Sequence, residues 1–401
     1  MPDRDRISER LDALWGIARG PGGGADRPAF SAAEAAAMRL VAEWAVEAGL
    51  SPGVDAFGNL WALPAEDGGP IVTAGSHVDT VPDGGRYDGA LGTVLGLELA
   101  HELPRAGLLV CAAEEAPRFG AGTVGSRLLA GTLEVGALAG FVDADGVSAA
   151  QAQSSEYLEA LADLPRCEPP VGRVRAHAEI HVAQRRALRE IGVVSRVASP
   201  RRLEVTLTGQ AGHSGEVTMA ERRDALAAAA ELVLAVETVA RGEQPETVAT
   251  VGTLVVSPGA LSVIPGSVTL GIDARSVSGG SLDRLEAAIR ERTREIAETR
   301  GVSASVRLLR AGEPTELDPA LVNAALSAAG RLGIPATETW SGAGHDAQHL
   351  AALMPTLLLF VPLHGGESHT PAEDADMDEI LAATAVAAAV LGGDSGTRQG
   401  S

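Results

Sequence analysis

The run Ile71-Val72-Thr73-Ala74 passes directly into Gly75-Ser76-His77-Val78-Asp79-Thr80-Val81-Pro82. Such a compact apolar run, bounded by Pro and Gly, reads as a short strand buried in a sheet covered on both faces. It delivers His77 to its carboxyl end, where ligands gather in α/β sheets. Leu108 to Ala113 is a second such run, and it delivers Glu114-Glu115. Ala178-Glu179-Ile180-His181 alternates like a strand, Thr356 to Val361 reads as a buried strand, and Asn59 to Ala62 as a short one. Helical spacing fills the intervals. Ile7 to Ala18 carries Ile7, Leu11, Leu14, Trp15 and Ile17 on one stripe. Ser31 is an N-cap with Glu34 three residues on, opening a helix to about Ala48. Leu91 to Leu103, Ala320 to Leu332 and Asp376 to Val390 follow suit. Strands interleaved with helices predict an α/β fold with a central sheet flanked by helices.

The pattern changes near Ser195. Leu203, Val205 and Leu207 alternate with Glu204, Thr206 and Thr208, as a one-sided strand should. A helix from Asp224 to Val239, strands at Thr250 to Val256 and Ser267 to Asp273, and a charged helix from Ser281 to Thr299 follow. This run ends near Arg310 and predicts a smaller, βαββαβ-like α+β domain with one open sheet face. At 401 residues two domains are the natural expectation. The inserted one covers 196–310, and the other is discontinuous over 1–195 and 311–401. Gly392 to Ser401 reads as a frayed tail.

Charge removes several functions. A net charge of -21 argues against nucleic acid, because phosphate binding needs concentrated cationic side chains. The chain contains no Lys, which excludes a Schiff-base lysine and a Walker A lysine. Cys111 and Cys167 are the only cysteines, too few for a disulfide framework and consistent with a reducing compartment. The opening Met1-Pro2-Asp3-Arg4-Asp5-Arg6 has no apolar stretch, so no signal peptide is expected. No apolar run reaches the ~18 residues a membrane span needs. The expected location is cytoplasmic.

Most of the nine His sit in turn-like contexts beside Gly, Ser, Asp or Glu. His77, His181 and His369 are the best metal-ligand candidates, with Asp88 and Glu115 as carboxylates. Imidazole with carboxylate suits Zn, Mn, Co or Ni. Two metals need a bridging carboxylate, and Asp88, in the Gly-rich turn Gly84-Gly85-Arg86-Tyr87-Asp88-Gly89, has the exposure for it. Glu114 and Glu115 would point to opposite faces of a strand. In a turn past the strand both can enter one cleft, one binding metal and the other taking a proton from the water the metal activates. Asp79 can accept the proton of the non-ligating His77 nitrogen and fix its tautomer.

Together, Gly75 to Pro82, Gly85 to Gly89 and Glu114-Glu115-Ala116-Pro117-Arg118-Phe119 resemble the M20-type metallopeptidase and amidohydrolase superfamily. More narrowly they resemble its hydantoinase/carbamoylase branch of N-carbamoyl-L-amino-acid hydrolases, allantoate amidohydrolases and β-ureidopropionases. The match continues through His181 to Gln184, Gly209 to Gly215, Met219 with Arg222 to Ala225, Val263 to Gly266 with Asp273 to Arg275, Ser341 to Ala347, and Glu367 to Pro371 with Glu373. The resemblance implies a di-metal hydrolase domain with a central mixed sheet and an inserted lid and dimerisation domain. It implies two divalent metal ions, Zn foremost. His77, Asp88 and His369 would hold one, with Asp88 bridging to a second held by Glu115 and His181. Glu114 would be the general base, and His213 would stabilise the oxyanion. Gln184 and Arg275 would hold a substrate carboxylate, and the loop with Gly344 and His345 would line the same pocket. A hinge would close the inserted domain on a small-molecule substrate, and that domain would make a homodimer.

Departures from the branch touch the pocket and spare the metal ligands. The usual Glu of His-Ile-Glu-Gln-Gly is Ala183, followed after Gln184 by Arg185-Arg186; the usual Asn before Val-Ile-Pro is Ser262; Glu216 stands where Thr is usual. These imply preserved hydrolysis of a linear amide or ureido C–N bond with a recut pocket, and a substrate cationic group near Glu216. An aminoacylase or dipeptidase of the same superfamily, or a non-catalytic binding protein on this fold, are the alternatives.

Overall fold

In the computed structural model, which describes residues 2–65, 68–185 and 187–393, the strand Ile71–Ala74 lies between two parallel neighbours, Ala106–Val110 and Val174–Val182. All four of its residues are buried. Arg186 and the tail from 394 onward, both singled out in the sequence, lie outside the described residues. The chain divides into two compact units: Met1–Ser195, Glu316–Trp340 and Gly344–Ser401 form one, and Arg196–Thr315 with Ser341–Ala343 form the other.

The first unit is built on a mixed sheet in the order Leu50–Val54, Leu60–Pro64, Ala106–Val110, Ile71–Ala74, Val174–Val182, Thr356–Val361, Ile191–Val197. Thr356–Val361 runs parallel to Val174–Val182, so four strands end at the same edge. The segments just beyond or at those ends carry His77, Glu114-Glu115, His181 and His369. The helix Ala90–Glu102 is buried from Ala90 to Leu99, and each of its Leu side chains contributes about 1.5–3 kcal/mol by leaving water. Ile71, Trp61, Leu109 and Val174 form a separate cluster with Leu350 and Met354. The parallel centre is therefore covered on both sides, as its unbroken apolar runs require.

Several local expectations shift. Ser31 does cap the helix Ala32–Glu47, accepting from the Glu34 amide at 3.1 Å. Glu34 itself does not close a capping box. It is fully buried and instead accepts from the Phe30 amide and, at 2.8 Å, from the Ala113 amide. Leu50–Val54 is a strand that the sequence hides, because Pro52 and Gly53 weaken its pattern; it is tolerated at the sheet edge.

The second unit has a four-stranded antiparallel sheet ordered Ser303–Ala311, Ser199–Thr208, Ser267–Ser276, Val248–Ser257. Leu203, Val205 and Leu207 are buried with Val268, Leu270 and Ile272 against the helices Ala225–Arg241 and Gly279–Arg300. Asp224 caps the first helix by accepting from the Leu226 and Ala227 amides. The order of elements is βαββαβ. Among the described residues no helix is long and apolar enough to cross a membrane.

His177 sits in the middle of Val174–Val182, fully buried, with Nδ1 2.9 Å from the Thr73 hydroxyl. Burial lowers its pKa to about 3. In the unfolded chain it takes a proton near about pH 6.5. The unfolded state therefore binds more protons between those values. The stability His177 allows is full above about pH 6.5 and is lost as the pH falls toward 3, at a limiting slope of about 1.4 kcal/mol per unit. Urea unfolding at about pH 7.5 and about pH 5.5 checks this: His177→Gln should lose about 1 kcal/mol less than the parent across that interval. Equal losses would refute the assignment.

Candidate metal centre

Two backbone features make the centre possible. Gly75, just past Ala74, has φ 152°, and a Cβ there would collide with the Leu109 carbonyl. Gly89 has φ 66°, and a Cβ there would strike the His77 ring. Glycine is required at both. Ala113 and His369 take left-handed backbone angles, φ 53° and 61°, conformations that cost of order 1 kcal/mol or more away from glycine. Ala113 turns the chain immediately before Glu114, which is how two adjacent carboxylates come to approach one site.

Asp88 is the hub. Its Oδ1 lies 2.9 Å from His181 Nε2 and 3.9 Å from His77 Nε2, and its Oδ2 lies 2.9 Å from His369 Nε2. Glu115 Oε1 is 3.5 Å from His369 Nε2, and Glu114 Oε2 is 3.9 Å from His77 Nε2. His77 and His181 face each other with their Nε2 atoms 3.4 Å apart. His77, Asp88, Glu115 and His181 are buried; His369 is partly exposed.

Among the described residues three groups could hold a metal ion: His77, Asp88 and His181; Asp88, Glu115 and His369, which shares Asp88 with the first; and Glu179, His181 and His345. The two groups that share Asp88 differ from the grouping implied by the sequence resemblance, which paired His77 with His369 and Glu115 with His181. His77 and His181 come together because their strands are hydrogen-bonded neighbours. His369 comes from a different loop and approaches Asp88 from its Oδ2 side.

The electrostatics fit cations. Burial opposes ionising Asp88, yet His181, His369 and His77 hold its carboxyl well below the usual range. Burial pushes Glu114 well up, opposed by His77 and reinforced by Glu115. Burial, then Asp88, pushes Glu115 up to about 7. Glu373, equally buried, is pushed up to about 7 for the same reasons. Asp88 Oδ1 is buried and, despite its nearness to His181, accepts no aligned hydrogen bond. Buried carboxylates converging on imidazole nitrogens, with an oxygen left unbonded, are what divalent cations would satisfy.

Asp79 holds the arrangement together. It is buried, accepts from the Glu114 amide at 3.1 Å and the Glu115 amide at 2.9 Å, and lies 3.4 Å from His77 Nδ1. His77 Nδ1 also lies 3.1 Å from the Asp79 main-chain carbonyl, and sequence reasoning missed the hold of the Asp79 carboxylate on both Glu amides. It also missed Glu34, which fixes the Ala113 amide, and Arg27. The buried Arg27 donates to the Val78 carbonyl at 2.6 Å and the Leu14 carbonyl at 2.7 Å.

The other candidates are distributed over both units. Gln184 places its amide 3.2 Å from His369 Nε2, in an open pocket lined by Gly366 to Thr370. Gly344 is exposed. His345, expected to line the pocket, is instead buried, with its ring edge-on to His181 at 4.7 Å and beside Phe360 at 5.4 Å. It backs His181. In the second unit His213 is exposed and accepts from the Gly215 amide through Nδ1, which puts its ring proton on Nε2. Ser262 and Glu216 are exposed nearby: the Ser262 carbonyl accepts from Ser214, and the Glu216 amide donates to the His213 carbonyl. Arg275, expected to fork a substrate carboxylate, lies with Nε 3.0 Å from Asp273 Oδ1 and Nη1 3.2 Å from the Gly342 carbonyl.

Two ligand sets joined by one carboxylate, beside a carboxyl that belongs to neither, are the arrangement of a metal-dependent hydrolase. Comparison with known proteins agrees. Residues 73–392 match the model of peptidase family M20/M25/M40. The chain is 36% identical to the N-carbamoyl-L-amino acid amidohydrolase of Geobacillus stearothermophilus, over 93% of this chain and 94% of that one. It is 32% identical to the ureidoglycolate hydrolase of Arabidopsis thaliana, over 94% and 84%. Among solved structures, a hydantoinase/carbamoylase family amidase from Burkholderia multivorans superposes with a TM-score of 0.86 at 34% identity, covering 97% of each chain. The chain belongs to the M20/M25/M40 peptidase family, and it is a metal-dependent amidohydrolase acting on C–N bonds.

Counting bound metal tests the grouping. His77→Ala with His181→Ala dismantles one set and should leave about one divalent ion per chain of about two. His77→Ala with His369→Ala cripples both and should leave fewer than about one. Elemental analysis after dialysis reads the difference; the reverse ranking would restore the grouping implied by the sequence.

Proposed function

We propose that this protein hydrolyses the linear amide or ureido bond of an N-carbamoyl or N-acyl amino-acid-like substrate bearing a free carboxylate. The observation that carries this reading is the Asp88-centred pair of ligand sets with Glu114 beside it. The substrate class rests on the relatives' names, with Gln184 and Arg275 as the proposed carboxylate partners. Zn is the favoured metal, with Mn, Co or Ni alternatives. The absence of Lys and the -21 charge accord with a small-molecule substrate.

His77, Asp88 and His181 would hold one ion and Asp88, Glu115 and His369 the other. When bound, such ions polarise the scissile carbonyl and acidify a water. Glu114 takes the proton of the attacking water and passes it to the leaving nitrogen as the C–N bond breaks. Its buried setting suits both steps, because burial raises the proton affinity of the carboxyl and so helps it accept a proton and then pass it on. Asp79 keeps Glu114 and Glu115 in register by holding both their amides. His213, with its proton on Nε2, is the proposed donor to the oxyanion. Ser262 and Gly344 are proposed to line the pocket. Arg275 would exchange its Asp273 contact for a substrate carboxylate, and Glu216 would select for a cationic substrate group.

A panel of N-carbamoyl, N-formyl, N-acetyl and N-succinyl amino acids, with allantoate and ureidoglycolate, tests the reading. The metal-loaded protein should release amine from at least one of them. Glu114→Gln should keep its metal and lose about a thousandfold or more in kcat, at the upper end of general acid–base effects. Glu216→Thr should reorder the panel. Metal retention with no Glu114-dependent hydrolysis of any member would sink the proposal.

We also propose a homodimer through the inserted domain. Val248–Ser257 is the last strand of its sheet, and Val248, Leu254 and Val255 on it are exposed. An apolar edge strand of this length is a template for strand pairing. Sedimentation should give a dimer that Val255→Arg converts to monomer; a monomeric parent would contradict this.

A further inference from the structure

Glu373 has no part in the roles described so far, yet it touches the hub of the centre. It is buried, and Gly85 makes room for its carboxylate, since a Cβ at that position would collide with it. One oxygen, Oε1, accepts from the Tyr87 amide at 2.7 Å and from the Asp88 amide at 2.9 Å. The other, Oε2, lies 3.1 Å from the Ser368 hydroxyl, which is also 3.2 Å from Asp88 Oδ2. Ser368 directly precedes His369, whose backbone is left-handed and whose Nε2 meets that same Asp88 oxygen.

We propose that Glu373 and Ser368 form a clamp that sets the Asp88 carboxylate between the two ligand sets. Through it the His369 loop is locked to the Asp88 turn, 285 residues away in sequence from Glu373. Each contact has a separate task. The two backbone bonds fix where the Asp88 main chain runs, and two amides aimed at one buried oxygen leave it little freedom. The Ser368 hydroxyl shares its single proton between Asp88 Oδ2 and Glu373 Oε2, which favours Oδ2 on the His369 side and leaves Oδ1 for His77 and His181. Because Asp88 belongs to both sets, disturbing the clamp weakens both, whereas losing a ligand such as Glu115 weakens chiefly its own. Glu373 is thus a positioning residue, and it shapes metal affinity rather than the reacting atoms.

The inference rests on Asp88 being a shared metal ligand, as in the proposed function. The test is chelator competition for Zn on the full chain, following each of two binding steps, with thermal unfolding of the metal-free protein alongside. Glu373→Ala should weaken both steps by about 10–100-fold, the range seen when partners of metal ligands are removed. Glu373→Gln retains an acceptor for the two amides and should recover much of the loss. Ser368→Ala should weaken binding by itself, and combining it with Glu373→Ala should cost less than the product of the two, since both act through Asp88. Should the parent bind two ions and Glu373→Ala bind them within about twofold of the parent's affinities, the clamp is wrong and the proposed function stands. A parent that binds no ions removes both. If Glu373→Ala destabilises the metal-free protein and Glu373→Gln restores that stability without restoring affinity, the role is structural and the clamp is likewise overturned.

Discussion

The structure depends on keeping several carboxylates out of water at the edge of one sheet. Asp79, Asp88, Glu115 and Glu373 are buried within one interconnected network, and Glu114 is nearly so. Two like charges about 4 Å apart repel by about 4 kcal/mol at an effective dielectric of 20. Three imidazoles and the buried Arg27 offset part of this. Hydrogen bonds offset more: every backbone amide from Ala113 to Glu115 donates to a buried carboxylate. What remains is an arrangement of buried carboxylates and imidazoles that divalent cations would satisfy.

The surrounding architecture follows from that demand. Parallel strands bring their carboxyl ends to one edge, so residues from distant parts of the chain meet without long side-chain reaches. Glycines at 75, 85 and 89 clear space for the His77 ring, the Glu373 carboxylate and the strand neighbour. Left-handed Ala113 and His369 aim their loops inward. Left-handed residues also occur away from the site, at Ala18, Phe30 and Arg105 among others, and the bulk of the unit is one large apolar core.

Much of this was legible in the sequence, and the reasons for the gaps are physical. Strand runs such as Ile71 to Ala74 and Thr356 to Val361 are short, apolar and bounded, so their edges read cleanly. His77, Asp88, His181 and His369 stood out because imidazoles and carboxylates in glycine-rich turns have few structural uses. The grouping of ligands was not legible, because it depends on which strands are neighbours. Nor was the burial of His345 behind His181, which a loop rich in Gly and Ser disguised as pocket lining. Glu34 looked like half of a capping box and became a brace for Ala113, a tertiary contact 79 residues long. Glu373 was visible within a motif and silent about its partners.

The central claim is that Asp88 joins two cation sites. Anomalous diffraction from crystals soaked in Zn or Mn tests it most directly. The account predicts two peaks per chain, one contacting His77 and His181, the other Glu115 and His369, with one Asp88 oxygen on each. A single peak, or two peaks of which either lacks Asp88, would contradict it.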